Sequence, residues 1–235
     1  AIETLHEHDL DALVTIGGDG TLKGAQALDE QWDGQVLGIP ATIDNDIAGT
    51  EYALGFDTAV NTALDAIDHI RDTATSHERT FIIEMMGRNS GHIALTAGLA
   101  GGAEEILIPE VDFSTDEIAE RIRKEKAKGK LHYIIALAEG AATGYELADE
   151  LEAKSGKQTR LVVLGHVQRG GDPSPWDRVG GSKMGFFAVK TLLEGQSGIM
   201  IGLQDGEKKL VPLEEAVTGK PIDEQELRIA NTLSR

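Results

Sequence analysis

The chain has 235 residues, enough for one large α/β domain or two smaller ones with a substantial core. Its 40 acidic and 22 basic side chains give a formal charge of −18, which argues against broad binding to nucleic acid or an anionic membrane but leaves small anionic ligands open to local cations and backbone N–H groups. There is no cysteine, which excludes disulfides and cysteine-bound zinc and is compatible with the cytoplasm.

In chain order, short apolar runs alternate with helix-like segments, the pattern of a mostly parallel sheet covered by helices. Residues 1–9 read as the end of an amphipathic helix, with neither an initiator Met nor a leader pattern, so the chain is expected to begin inside a domain. Strands are predicted over 12–16, 35–39, Thr80–Met85, 105–108, 132–136 and 160–164. Helices are predicted over 22–29, 58–74, 91–99, 115–128, 144–154 and 181–193. In the second of these, Val60, Leu64 and Ile67 recur at helical spacing and should face the core. Ser114 and Glu117 read as a capping box opening the fourth. Ile199–Gln204 and 208–211, joined by Asp205-Gly206, read as a two-residue hairpin. The apolar run 93–103 is too short and too rich in glycine to span a bilayer. No repeat or disordered linker is visible, so a boundary between lobes would be a chain crossing, near Gly55 and again near Gly171.

Five segments carry chemistry. Gly17-Gly18-Asp19-Gly20-Thr21 lies between a strand and a helix, where glycines let backbone N–H groups face phosphate oxygens and an acidic residue can hold Mg²⁺ beside them; the alternative is a tight turn with a solvated Asp. It is not a Walker A loop. Thr42-Ile43-Asp44-Asn45-Asp46 offers two carboxylates that share a face if the backbone is extended, one for a hydroxyl proton and one for metal; the alternative is an Asx-rich turn. Arg88, in Met86-Gly87-Arg88, follows a strand at the end where open α/β sheets bind ligands, whereas Arg79 precedes that strand. In 165–171, strand alternation would put His166 and Gln168 on one face, with Arg169 entering a Gly-Gly turn. His and Arg together can read sugar hydroxyls and phosphate. Lys128-Gly129-Lys130-Leu131-His132 is a small basic cluster that also reads as a helix C-cap.

Taken in order, GGDGT, PATIDND, MGR and LGHVQRGG resemble the phosphofructokinase family over nearly the whole chain, from Asp11 to about Gly202. The resemblance implies an α/β fold with two Rossmann-like three-layer sandwich lobes per full subunit. Residues 1–55 with about 172–222 would form the nucleotide lobe, and about 56–171 with 223–235 the sugar-phosphate lobe. The family begins with a further glycine-rich loop upstream, so the first lobe is expected to be incomplete here. The implied reaction is ATP-dependent phosphorylation of fructose 6-phosphate in glycolysis, in the cytoplasm, with Mg²⁺. A pyrophosphate-dependent homologue and a non-catalytic sugar-phosphate-binding regulatory chain are the alternatives.

Carried over by position, Asp44 is the implied base, and Arg88 lies near the transferring group. Gly18, Asp19, Gly20 and Thr21 take ATP, with Asp19 and Asp46 at the metal. Thr42, Asp44, Met86, Gly87, Arg88, Glu139, His166 and Arg169 take fructose 6-phosphate, and Arg79 and Arg160 reach a neighbouring subunit's sugar phosphate in a homotetramer. Arg71, Gly102, Glu104, Lys128, Lys130 and His132 match effector residues for ADP or phosphoenolpyruvate-like ligands; Leu131 stands where some relatives carry a further Lys. Pyrophosphate users tend to carry Asp and Lys at the positions of Gly20 and Ala41, which favours ATP here. No nucleic-acid or membrane partner is implied.

Overall fold

A computed structural model of the chain describes residues 1–77 and 79–233. Residues 234 and 235, at the end of the expected lobe segment 223–235, lie outside the described residues. The elements in order are α1 (Ile2–Glu7), β1 (Ala12–Gly17), α2 (Asp19–Asp29), β2 (Gln35–Pro40), α3 (Phe56–His77), β3 (Thr80–Met85), α4 (His92–Ala100), β4 (Glu105–Leu107), α5 (Thr115–Ala127), β5 (Tyr133–Ala138), α6 (Gly144–Ser155) and β6 (Thr159–Val163). A 3₁₀ turn (Gly165–Arg169) follows, then α7 (Pro175–Leu193), β7 (Ile199–Gln204), β8 (Glu207–Pro212), α8 (Leu213–Ala216) and α9 (Glu224–Leu233).

The chain divides into two compact units, Ala1–Asp57 with Pro173–Pro221, and Thr58–Asp172 with Ile222–Arg235. In the first, the sheet order is β1-β2-β7-β8, parallel except for the β7–β8 hairpin. Asp205 and Gly206 both take positive φ, 52° and 75°, as a two-residue hairpin requires. Alternation along β2 builds a core on each face. Val36 packs with Leu22, Ala25, Met200 and Leu213, while Leu37 and Ile39 pack with Met184, Ala188, Ile201 and Leu203. Helices α2 and α8 therefore lie on one face and α7 on the other, giving three layers.

In the second unit the order is β4-β5-β3-β6, all parallel. Every residue of β5 is buried, as a central parallel strand covered on both faces demands. Ile82, Ile135 and Leu137 pack with Ile118 and Ile122 of α5 and with Leu147 and Leu151 of α6. On the other face, Gly98 of α4 lies against Ala136 and Ile106, close enough that a Cβ there would have to displace them. Ser114 caps α5 by accepting from the Glu117 N–H at 3.4 Å, as expected.

The mostly parallel α/β architecture is the one expected, and the helices after the 3₁₀ turn depart from prediction. Helix α7 starts at Pro175 instead of 181, because Ser174 accepts from the Asp177 N–H at 3.2 Å and Pro175 suits the first helical turn. The short α8 and the C-terminal α9 were not predicted. Helix α9 follows Pro221, and Asp223 accepts from the Gln225 N–H at 2.7 Å.

Candidate active site

In the first unit only Gly18 separates β1 from α2. The helix begins at Asp19, three residues before the predicted start, because the N–H groups of Thr21 and Leu22 both donate to the Gly18 carbonyl at 3.0 Å. Asp19, Gly20 and Thr21 thus form a first helical turn and not a free loop. Among the described residues no side chain caps this N-terminus, where N–H groups and the helix dipole both favour an anion. Gly17 is dictated by packing, since a Cβ there would sit 2.6 Å from the Thr21 Cβ. At Gly20, by contrast, a Cβ would meet nothing within 4 Å. The Asp19 carboxylate pairs with Lys23 at 2.9 Å, both partly exposed.

The segment after β2 is not extended. Asn45 takes φ 51°, a left-handed conformation that Asn tolerates better than most residues. Its buried side chain fixes the turn: Nδ2 donates to the Glu51 carbonyl at 3.1 Å and Oδ1 accepts from the Ala53 N–H at 2.9 Å. The Asp44 N–H donates to Thr42 Oγ1 at 3.2 Å. Strand alternation therefore does not place Asp44 and Asp46 on one face; of the two readings the sequence left open, the turn is the one that forms. Asp44 is only 7% exposed. Asp46 Oδ1 is buried and accepts no hydrogen bond among the described residues. The two segments are neighbours at the C-terminal ends of parallel β1 and β2. The Ala41 N–H donates to the Gly17 carbonyl at 2.9 Å, and a Cβ on Gly18 would lie 3.3 Å from the Thr42 Cβ.

In the second unit, β3 ends in a turn of unusual backbone: Gly87 has φ 143° and Arg88 φ 53°. Such a conformation at arginine costs energy unless its surroundings enforce it. Here three successive N–H groups are held by side chains. Met86 donates to Gln168 Oε1 at 2.8 Å, and Gly87 and Arg88 donate to Glu139 Oε1 at 3.2 and 2.8 Å. The Ser90 N–H closes the turn on the Gly87 carbonyl at 2.8 Å.

Residues 165–169 form a 3₁₀ turn and not a continuing strand. Gly165 at φ 54° breaks the extension of β6, and with three residues per turn His166 and Arg169 share a face. Both are exposed and Gln168 is buried, which reverses the expected pairing of His166 with Gln168. Met86, Gly87, Arg88, Glu139, His166 and Arg169 thus gather at the C-terminal edge of the sheet, where β5 and β6 flank β3. Arg79 and Arg160 lie at its N-terminal edge, beyond strands spanning roughly 20 Å.

The basic segment resolves into two parts. Arg71 donates to the Gly101 carbonyl, to the Gly102 carbonyl at 3.1 Å and to His132 Nε2 at 3.3 Å. Lys130 pairs with the buried Glu104 at 2.9 Å, and Glu104 also accepts from the Ile134 N–H at 2.6 Å. Burial first, then repulsion from Arg71 and Lys130, hold the His132 pKa below its ordinary value against the pull of Glu104. A neutral ring accepting from Arg71 fits that direction. Lys128 does not join this group; it pairs with Glu125 at 2.6 Å as the C-cap of α5. A separate cavity of about 540 Å³, lined by Phe113, Glu105, Arg121 and Leu227, holds none of the turn residues.

Residues 1–192 match the model of the family described as Phosphofructokinase. The chain belongs to the phosphofructokinase family. It is 53% identical over 206 residues to an ATP-dependent 6-phosphofructokinase from Bacillus pumilus, covering 88% of this chain and 64% of that relative. It is 49% identical over 235 residues to the enzyme of that name from Thermotoga neapolitana, covering the whole chain and 74% of the relative. The phosphofructokinase structure from Saccharomyces cerevisiae superposes with a TM-score of 0.89 at 25% identity, over 99% of this chain and 36% of that one. A pyrophosphate-dependent phosphofructokinase from Marinobacter aquaeolei shares the fold, with a TM-score of 0.85 at 24% identity, over 99% of this chain and 69% of that one.

Within this member of the phosphofructokinase family the structure adds residues that sequence reasoning left without a role. Asn45 shapes the aspartate turn and Gln168 the arginine turn. Gly140 is a third, because a Cβ there would lie 3.1 Å from the Arg88 carbonyl carbon and nearer still to its oxygen. Buried Asp177 is a fourth, accepting from the Gly55 N–H at 2.8 Å behind the aspartate turn. The only signal in sequence was proximity to glycine-rich motifs.

Proposed function

We propose that this chain is the larger part of an enzyme that moves the γ-phosphoryl group of ATP to the 1-hydroxyl of fructose 6-phosphate, giving fructose 1,6-bisphosphate. The observation that carries the reading lies in the first unit. An uncapped helix start stands beside a buried aspartate turn, in a chain 53% identical over 206 residues to an ATP-dependent relative. On this reading the first unit is the nucleotide lobe and the second the sugar-phosphate lobe.

Backbone groups of Gly18, Gly20 and Thr21 take the phosphates at the start of α2. Asp44 accepts the hydroxyl proton as general base, its burial keeping competing water away. Arg88 stabilises charge on the transferring group, and the enforced backbone of its turn fixes it before substrate arrives. Thr42, Met86, Gly87, Glu139, His166 and Arg169 hold the sugar phosphate. Among the described residues no three His or carboxylate groups form a metal cage. Mg²⁺ commonly takes only one or two carboxylates with phosphates and water, and the unbonded Asp46 Oδ1 is a ready acceptor, so Asp19 and Asp46 fit the ion. When bound, Mg²⁺ would neutralise charge on the phosphates. Asp19 gives up its Lys23 pair to take part.

The open space at Gly20 leaves room for the α-phosphate of a nucleotide, which favours ATP over pyrophosphate. Arg79 and Arg160, at the opposite sheet edge from Arg88, are assigned to a neighbouring subunit's sugar phosphate in a homotetramer. Arg71, Gly102, Glu104, Lys130 and His132 are read as an effector cluster for ADP or a phosphoenolpyruvate-like anion, with Lys128 at its margin. Among the described residues no helix is long and apolar enough to cross a membrane, and a cytoplasmic location goes with this reading.

The test compares the complete polypeptide with its Asp44→Ser variant. The variant should lose about 10²- to 10⁴-fold in kcat with ATP while binding fructose 6-phosphate within a few-fold of the parent by calorimetry. Near-normal turnover would remove Asp44 from its role. Faster turnover with pyrophosphate would replace the donor, and binding without turnover in the parent would leave a regulatory sugar-phosphate-binding chain.

A further inference from the structure

Gln168 belongs to a motif assigned to substrate, yet its side chain faces inward. It is 1% exposed and its Oε1 accepts from the Met86 N–H at 2.8 Å. Its Nε2 is buried and has no acceptor among the described residues. Turning the amide over cannot repair this, because Nε2 would then face the Met86 N–H, donor against donor. The orientation is therefore imposed by the turn, and one buried donor is left unsatisfied as a result. An apolar residue of similar size would remove that orphan donor but leave the Met86 N–H without its acceptor, so the amide is kept for the bond it makes to the turn and not for packing alone.

The tether also has a direction. It joins the start of the Met86–Gly87–Arg88 turn to the 3₁₀ turn whose outer face presents His166 and Arg169. Glu139 holds the other two N–H groups of the same turn, so Gln168 is the side chain that ties Arg88's turn to the His166–Arg169 turn.

We propose that Gln168 is a positioning residue: its carbonyl oxygen locks the arginine turn to the 3₁₀ turn, holding Arg88, His166 and Arg169 in one fixed geometry toward the sugar phosphate. This rests on the reading above that these turns face that ligand. It predicts that the tether acts on turnover through Arg88 and not on ligand affinity alone.

The experiment uses the complete polypeptide and its Gln168→Leu and Gln168→Glu variants. It measures kcat and KM for fructose 6-phosphate at saturating ATP and Mg²⁺, hydrogen exchange of the peptide over residues 80–92, and Tm. Leu removes the acceptor, so exchange at the turn should speed up and kcat should fall about 10- to 100-fold, the loss expected from misplacing a reacting-centre group by roughly 1 Å. KM should rise by a smaller factor than kcat falls, because His166 and Arg169 are loosened along with Arg88; a rise in KM at parental kcat would mean lost ground-state binding alone and would overturn the role through Arg88. Glu keeps an oxygen at the same reach, so it should restore slow exchange and recover kcat relative to Leu. A Leu variant with lowered Tm but parental kcat would reduce Gln168 to packing and overturn the proposal. If Leu does not fold, the Glu variant decides: fast exchange at the turn with parental kcat overturns it equally. If the parent shows no turnover, the functional reading fails, and exchange at residues 80–92 still decides whether the tether exists.

Discussion

Gly140→Ala is expected to damage a site to which residue 140 contributes no side chain. A Cβ at this position lies 3.1 Å from the Arg88 carbonyl carbon and 3.3 Å from the Asn89 Cα, with the Arg88 carbonyl oxygen nearer still. Non-bonded carbons prefer about 3.5–4.0 Å, and these are backbone atoms, so no rotamer change relieves the overlap. The turn has to move away by roughly 1 Å, and overpacking of this kind costs about 1–3 kcal/mol. Moving it also stretches the hydrogen bonds of 3.2 and 2.8 Å that Gly87 and Arg88 donate to Glu139, the residue adjoining the substitution. Part of the roughly 1.5–3 kcal/mol typical of a bond to a charged group is then lost as well. A destabilisation of about 2–4 kcal/mol by urea denaturation is the expected sum. Since Arg88 is read as stabilising the transferring group, a shift of roughly 1 Å should also lower kcat about 100-fold. Gly156→Ala is the control: this helix-capping glycine has φ 66° and open space around it, so alanine should cost about 1–2 kcal/mol and leave kcat unchanged. Parental stability and kcat in Gly140→Ala would refute the claim that backbone contact with residue 140 fixes the arginine turn.

Asn45→Ala removes one buried and one partly buried hydrogen bond, leaves the Ala53 N–H without its side-chain acceptor and puts alanine at φ 51°. Denaturation should show a loss of about 2–4 kcal/mol, and a loss below about 0.5 kcal/mol would mean the turn does not depend on this side chain. His132 titrates below its ordinary value of 6.5 in the folded chain, so as pH falls through that value the unfolded state takes up a proton first. Stability should therefore fall from about pH 7 down to the folded pKa and level off below it. His132→Gln should flatten that part of the urea-midpoint profile, and an unchanged slope would place its origin elsewhere.

The parallel strands were legible because a central strand buried on both faces must be apolar throughout, as in Tyr133–Ala138. What misled was the extrapolation of one period past its end. Strand alternation carried through Gly165 gave His166 the wrong companion, although a glycine at that point is the residue most able to break a strand. At Asp44-Asn45-Asp46 an extended run and an Asx-rich turn were both open, and the turn is the one that forms, around an Asn that accepts a left-handed conformation. In the cluster of Arg71, Glu104, Lys130 and His132 only the last two had a local signal, in the basic segment 128–132; Arg71 leaves α3 and Glu104 the approach to β4, and they meet that segment only through the sheet order. Gln168 and Gly140 were hidden for a related reason: each acts on the turn after β3 from a strand end that parallel pairing brings alongside it. A sequence motif marks where a chain turns toward a ligand. The residues that force the turn to keep its shape sit just past the ends of neighbouring strands, at separations of 82 for Gln168 and 51 for Glu139. For that reason the arginine turn should respond more to changes at Gly140 and Gln168 than to changes at its own exposed neighbour Asn89.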